Sequence, residues 1–181
     1  LQPLLYIVSL TPCTGAARYF AGPCRMLSRG RAAMEARRIW CVRAGASGEA
    51  DFLFMKRNCV AMSSGDIGDD AGLLPAARDA FKEAFARAAP AARPGSIPIS
   101  AGQLYRFVHE MRIGDNVLYP RKSDRTVRWG EVVEPYVYDS QDMPEFGHRR
   151  GVRWLGKLSR DAFSQGALSE LGSALPFLEG K

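Results

Sequence analysis

Two stretches of the chain combine basic and aromatic side chains. The first carries Arg121, Lys122, Arg125 and Arg128 against the carboxylate of Asp124. The second contains no acid, and its basic residues are Arg149, Arg150, Arg153, Lys157 and Arg160. Aromatic side chains accompany both: Tyr119, Trp129, Phe146 and Trp154. Cations neutralise phosphates and rings stack on bases, so the pattern indicates nucleic-acid binding, although a merely solvated basic strand edge has the same composition.

The sequence offers no arrangement of residues typical of catalysis. A metal-dependent nuclease needs paired carboxylates with a nearby lysine, and Glu131 is followed by Val132 and Val133 instead. His109 and His148 lie outside any nucleophile-elbow context, and no phosphate-loop or dinucleotide fingerprint is present. The segment 45–48 resembles a phosphate loop only weakly. We therefore predict a non-catalytic chain without a cofactor.

The cysteines lie at positions 13, 24, 41 and 59, without the clustering that a zinc site requires. The two histidines are too isolated to complete one, so no metal site is predicted. Cys41 and Cys59 fall inside apolar runs and are predicted to be buried thiols, which fits a reducing, cytoplasmic compartment. No apolar run approaches the roughly 20 residues that span a bilayer.

The positive charge is unevenly distributed along the 181 residues. Lys and Arg number 25 and Asp and Glu 19, a net charge of +6, but residues 1–33 contribute four arginines and no acid. The remainder is therefore nearly balanced. We predict that 1–33 is a leader outside the folded domain, either a transit peptide or translated upstream sequence with Met34 as the natural start. The folded domain is then expected over 34–178.

Hydrophobic periodicity predicts strands at both ends of this domain and helices between them. Two helices are expected, one opened by Pro75 and one capped by Ser100 with Gln103 in a capping box; the latter has the apolar stripe Leu104, Phe107, Val108 and Met111. A short helix follows at 163–171. The predicted strands are 39–42, 58–62, 117–120, 126–133 with a bulge at Gly130 and an extension over 136–138, 149–155 and 176–178. The pattern indicates an α+β fold with a small mixed or antiparallel barrel.

Several of these segments also resemble a known family when read in order. The strand 39–45 is similar to the W-x-x-R-A-G opening of the N-terminal domain of Mrr-like restriction endonucleases, which resembles the EVE members of the PUA-like fold. The likeness covers roughly residues 37–178 through these further segments: 60–69, 102–107, 113–120, 130–132 with Tyr136 and Tyr138, and 148–155.

The resemblance implies a PUA-like, EVE-like small β-barrel with flanking helices that flips a base into a pocket and reads its modification, such as a methylated cytosine. It implies a base pocket formed by Arg43, Ser63, Ser64, Gly65, Asp66 and Phe146. The family has Gly-Trp where this chain has Ser63-Ser64, so Phe146 is the candidate aromatic wall, by likeness to the YTH loop aromatic.

Contacts to the nucleic-acid backbone are expected from Tyr105, Arg106, Arg121, Lys122, Arg125, Arg128, His148, Arg149 and Arg150. The implied function is the specificity module of a modification-dependent restriction system, a DNA-binding defence protein whose nuclease domain would lie beyond Lys181. The expected partner is double-stranded DNA with a modified base. The alternatives are an RNA reader of the YTH or PUA kind, a small-ligand sensor or protein-interaction domain, and an enzyme of the ASCH kind.

Each of these residues also has a purely structural interpretation. Arg43 could form a salt bridge, residues 63–66 could form an ordinary turn, and Phe146 could anchor its loop. Trp40 and Trp154 alternate within apolar strands and are predicted to be core, whereas Trp129 is predicted to be core or rim.

Overall fold

The computed structural model describes residues 37–63, 67–93, 95–172 and 177–180. The chain divides into two compact units, Leu1–Glu35 and Ala36–Lys181, and all the described residues belong to the second unit. The predicted leader over 1–33 and the pocket candidates Ser64, Gly65 and Asp66 lie outside the described residues.

Helices and strands alternate irregularly along the second unit. The helices are α1 (Asp51–Lys56), α2 (Arg78–Ala88), α3 (Ile97–Tyr105) and α4 (Gln165–Leu171). The strands are β1 (Ile39–Val42), β2 (Cys59–Met62), β3 (Asn116–Pro120), β4 (Thr126–Tyr138), β5 (His148–Ser159) and β6 (Phe177–Gly180). Single 3₁₀ turns lie at Asp69–Gly72, Pro144–Phe146 and Arg160–Ala162, and a π-helical turn, Arg106–Glu110, continues α3.

The strands form one mixed sheet in the order β2-β5-β4-β3-β1-β6. Strands β1 and β3 pair in parallel and all the other neighbours are antiparallel, which confirms the α+β class and the mixed sheet. Among the described strands the two edges, β2 and β6, are not paired with each other, so the sheet is not closed into the expected barrel. Both edge strands are only four residues long, which leaves short edges to protect.

The long hairpin of β4 and β5 is the centre of this sheet. Its register shifts between Trp129 and Gly130, which confirms the predicted bulge, and shifts again between Val132 and Tyr136. Gly130 is required here because a Cβ would stand 2.7 Å from the carbonyl oxygen of Arg153. Strand β5 continues to Ser159, four residues beyond the end of the strand predicted over 149–155.

Hydrophobic side chains lie on both faces of the sheet. The main core contains fully buried residues from the strands and from α1, α2 and α3, including Trp40, Phe54, Phe81 and Leu104. A second cluster on the other face consists of Cys41, Val127 and Leu171, with Leu118, Phe163 and Leu168 packed against it. Trp40 is core as predicted, while Trp154 is half-buried against the main core.

Both described cysteines are buried, as expected. Cys41 and Cys59 are free thiols, and burial raises the pKa of each to about 11. Both thiols therefore stay protonated and unreactive at neutral pH.

The helix boundaries differ from the sequence prediction in three places. Helix α2 begins at Arg78, so Pro75 precedes the helix and does not open it. Helix α1 was not predicted, because its six residues are too few to show a period. Helix α3 begins at Ile97 with Pro98 in its first turn, so Ser100 lies inside the helix and is not its cap; a proline in the first turn is already preorganised for the helix. The predicted stripe of Leu104, Phe107, Val108 and Met111 is buried, as expected. In the described part of the chain, we find no helix with the length and apolar character to cross a membrane.

Candidate functional site

A small pocket of about 90 Å³ lies at the carboxyl end of β1. It is bounded by the loop that follows β1, by the end of β3 and by the end of α4. Its lining contains four cationic residues, Arg43, Arg121, Lys122 and Arg160, together with Ala44, Gly45, Gly48, Tyr119, Pro120, Val127, Leu171 and Gly172. We call this the basic pocket. No carboxylate belongs to the described lining.

Two glycines shape the loop on one side of the basic pocket. Gly45 and Gly48 have φ values of +80° and +99°, which residues with a side chain rarely adopt. A Cβ on Gly45 would also stand only 3.0 Å from the ring tip of Phe146. The backbone N–H groups of Ser47 and Gly48 donate to one carboxylate oxygen of Glu49, at 2.9 and 3.1 Å. Gly45 is needed both for its positive φ and for the close approach of Phe146, and Gly48 is needed for its positive φ.

Arg121 is fixed in the pocket by two carboxylates. Its guanidinium donates to both oxygens of Asp51 at 2.8 Å and to Asp124 at 3.1 Å. The Tyr119 hydroxyl donates to the same Asp51 at 2.7 Å. The hydrogen bonds from Arg121 hold the pKa of Asp51 below its usual range, and burial together with Asp51 raises the pKa of Tyr119. This network sets the position of Arg121 and offsets its charge.

Arg43 and Arg160 differ from Arg121 because neither has an ion pair within the described ranges. Arg43 approaches the carbonyl oxygen of Leu171 at 3.4 Å, a long hydrogen bond. Lys122 donates to the carbonyl oxygen of Ala46 and has no ion pair in the described part of the chain. Three of the four pocket cations therefore lack a direct ion pair among the described residues, while Arg121 is paired and the Glu49 carboxylate lies beside Gly45.

The predicted backbone contacts on the β3–β4 turn are partly gathered at this pocket. Arg121 and Lys122 line it, and so does Arg43, which was predicted for the base pocket instead. Arg128 donates to Asp124 at 2.9 Å, and Arg125 is exposed in the turn at a φ of +54°.

Arg149 and Arg150 lie in the interior, not on the surface where the sequence prediction put them. Each is 5% exposed. Arg149 donates to the carbonyl oxygens of Phe146 and Gln141 and to Asp139, which ties the loop before β5 to the sheet. Arg150 donates to the carbonyl oxygens of Phe107 and Val108. Because these hydrogen bonds are internal to the fold, neither guanidinium group is available to a phosphate backbone.

His148 is also buried, at 1% exposed. Its Nε2 lies 2.9 Å from the carbonyl oxygen of Ile67, which can only accept, so Nε2 carries the proton. Its Nδ1, 2.8 Å away from the Tyr136 hydroxyl, then accepts a hydrogen bond from that hydroxyl. The ring stays neutral, and it holds β5 against the segment that follows β2.

Stability should depend on pH through His148. Burial lowers the pKa of this imidazole from 6.5 to about 4. The unfolded chain binds the proton more readily than the folded protein does. Neutral His148 therefore gives its full stabilisation of the fold above about pH 6.5, and roughly 2–3 kcal/mol of this stabilisation is lost as the pH falls from 6.5 to 4. Urea unfolding at pH 7 and at pH 4.5 measures this loss. His148→Gln should show a smaller loss than the wild type, and equal losses in both proteins would contradict the assignment.

The remaining candidates for the base pocket do not converge around an open space among the described residues. Phe146 is 7% exposed and packs within the main core, as the loop-anchor interpretation requires. Ser63 is exposed directly after β2.

Tyr105 and Arg106 are half-buried at the end of α3 and do not line the basic pocket. The Tyr105 ring packs edge-on against Phe81, with centroids 5.5 Å apart, and beneath the guanidinium of Arg78 at 5.3 Å.

Of the pocket residues, Arg43, Arg121 and Lys122 were named as site residues from the sequence and Arg160 as part of a basic stretch, whereas Gly45, Gly48 and Leu171 were not. The spacing of the two glycines after a buried strand and the acid-free basic run ending at Arg160 were both visible signals. Their convergence was not, because Arg160 and Leu171 come from the far end of the chain. Among the described residues, no three His, Cys, Asp or Glu side chains gather where they could hold a metal ion.

Comparison with known proteins gives one match. A family model described as a domain of unknown function, DUF8426, matches residues 40–169, which span β1 to α4 and include most of the basic pocket. No curated protein and no solved structure matches the chain.

Proposed function

The chain belongs to the DUF8426 family, and we propose that it is a non-catalytic nucleic-acid recognition module that holds a phosphate group in its basic pocket. Double-stranded DNA with a modified base is the proposed ligand, and a modification-dependent restriction system is the proposed setting. A PUA-like relationship of the fold is part of the same proposal.

The observation that carries this proposal is the lining of the basic pocket. Arg43, Lys122 and Arg160 converge on it with Arg121, and no carboxylate belongs to the described lining. Such a convergence of like charges raises the free energy of the unliganded fold, and a bound anion relieves it. Arginine is also the residue best suited to a phosphate, because its planar fork can donate two parallel hydrogen bonds.

The size of the pocket supports a phosphate group and not a whole small molecule. Its volume of about 90 Å³ is well below the roughly 300–1,000 Å³ of typical small-molecule sites. A ligand anchored by one phosphate must therefore extend outside the pocket, as a nucleic-acid strand does. For the basic pocket this favours a nucleic-acid strand over a whole small molecule; a separate cavity of about 460 Å³ lies between Ile67, Asp70, Leu73 and helix α2.

Reading of a modified base is the finer part of the proposal. Ser63 is exposed directly after β2 and is the described candidate for contact with an extruded base. The contacts made to such a base must offset the few kcal/mol that its unstacking costs. The buried ring of Phe146 supports the loop beneath and is not proposed as a stacking wall.

Competition binding tests the proposal. A fluorescently labelled duplex of about 20 base pairs, with one methylated cytosine, is titrated with the protein at low salt and then displaced by unlabelled competitors. We expect the methylated duplex to compete better than the same duplex without the modification. An RNA competitor that displaces the probe best would indicate an RNA reader, and the absence of binding at low salt would overturn the proposal.

A further inference from the structure

The face of the sheet opposite the main core carries a tryptophan that this core does not use. Cross-strand partners share a face of a sheet. Leu118 pairs with Trp129, and Leu118 packs against the second cluster of Cys41, Val127 and Leu171. Trp129 therefore lies on the same face as this cluster, which we call the outer face.

The indole of Trp129 lies over the backbone of Gly156, its partner on β5. A Cβ on Gly156 would stand 2.7 Å from the Nε1 atom of Trp129, with Cδ1 and Cε2 of the same ring at 3.5 and 3.6 Å. A glycine at this position thus leaves room for the ring to rest on the sheet. Trp129 remains half-buried, and Leu158, two residues beyond Gly156 on β5, is 40% exposed.

The other two tryptophans have structural partners of a different kind. The indole of Trp40 donates to Asp115 at 2.8 Å, and that of Trp154 donates to the carbonyl oxygen of Phe54 at 2.7 Å. Both pack in or against the main core. Trp129, by contrast, belongs to neither hydrophobic cluster.

The outer face is continuous with the basic pocket. Val127, which lines the pocket, precedes Trp129 by two residues on β4, a distance of about 7 Å along the strand. Leu158 is the cross-strand partner of Val127, and Arg160 follows it by two residues. Arg160 of the basic pocket, the exposed side chain of Leu158 and the indole of Trp129 thus lie close together along the sheet.

We propose that the outer face binds an unpaired stretch of nucleic acid, with a base stacked on Trp129 and a phosphate of the same strand in the basic pocket. This inference rests on the proposed function and specifies the state of the strand that is bound. Aromatic rings bind any unpaired base through its π-face, and neighbouring cations follow the backbone. Paired bases in an intact duplex do not offer that face, so a duplex ligand must present an extruded or unpaired base to Trp129.

Binding of a labelled 12-residue oligothymidylate at low salt tests the inference. Trp129→Leu should weaken binding about tenfold, and Trp129→Phe, which keeps a ring, should stay within about threefold of the wild type. Gly156→Ala should cause a loss similar to that of Trp129→Leu, because its methyl group displaces the indole. This second variant decides the matter if Trp129→Leu fails to fold.

Leu155→Gln serves as the matched control, since it changes an exposed side chain of β5 next to Gly156 that has no part in the proposed contact. Wild-type affinity in Trp129→Leu and Gly156→Ala would overturn the inference, and so would an equal loss in Leu155→Gln. If these variants bind normally while loss of Arg43 and Arg160 weakens binding, only the inference fails. If the wild type binds neither oligothymidylate nor duplex, the proposed function fails with it.

Discussion

Replacement of Arg43 and Arg160 together by glutamine is expected to weaken binding of a short DNA duplex about a hundredfold at low salt. These two arginines line the basic pocket without an ion pair in the described part of the chain, so their charge is available to a ligand. A hydrogen bond to a charged group contributes about 1.5–3 kcal/mol, and two such bonds account for the expected loss. Fluorescence anisotropy with a labelled duplex measures it.

A control variant with the same net charge separates a local effect from a general one. Arg87→Gln with Arg93→Gln removes two exposed arginines that do not line the basic pocket. We expect this control to lose less than about fivefold, through the overall field alone. Equal losses in the two double variants would show that the pocket has no special role.

Replacement of Arg150 by methionine should lower the free energy of unfolding by roughly 3 kcal/mol. The Arg150 guanidinium donates to the carbonyl oxygens of Phe107 and Val108, both at 2.8 Å, and thereby closes the π-helical turn after α3. Burial lowers the pKa of this side chain to about 10, so it remains charged at neutral pH. Methionine fills part of the space but leaves both buried carbonyls without these donors, and urea unfolding measures the cost.

Arg153→Met, on the same strand, is the matched control for Arg150. Arg153 is exposed and donates to Glu131 at 2.8 Å, a surface ion pair that contributes at most about 1 kcal/mol. We expect a change below that value. A stability loss in Arg153→Met as large as that in Arg150→Met would contradict the interior role of Arg150.

The sequence predicted the elements of the sheet better than the roles of its charged residues. Alternation of apolar residues located β3 and most of β4, and Gly130 marked the bulge, because these signals are local. Arg149 and Arg150 appeared as a basic surface strand, since a guanidinium inside the fold is rare and nothing local shows its partners. Their partners are backbone carbonyls of the loop before β5 and of the π-helical turn, which only the fold brings near.

The basic pocket, too, could not be predicted from local sequence patterns. Its residues come from the loop after β1, from the end of β3 and the turn that follows it, and from the last third of the chain. Arg43, Arg121 and Lys122 were each candidates in the sequence, but for two different sites. Their common position follows from the parallel pairing of β1 with β3, a long-range contact that no local pattern predicts.

The dependence of duplex affinity on salt tests the central proposal, that the basic pocket holds a phosphate. Each phosphate contact contributes about −0.9 to the slope of log K against log salt for duplex DNA. Measured from about 20 to 200 mM salt, the slope of Arg43→Gln with Arg160→Gln should be shallower than that of the wild type by about 1. Identical slopes for the two proteins, or a wild-type slope of zero, would contradict a phosphate in this pocket.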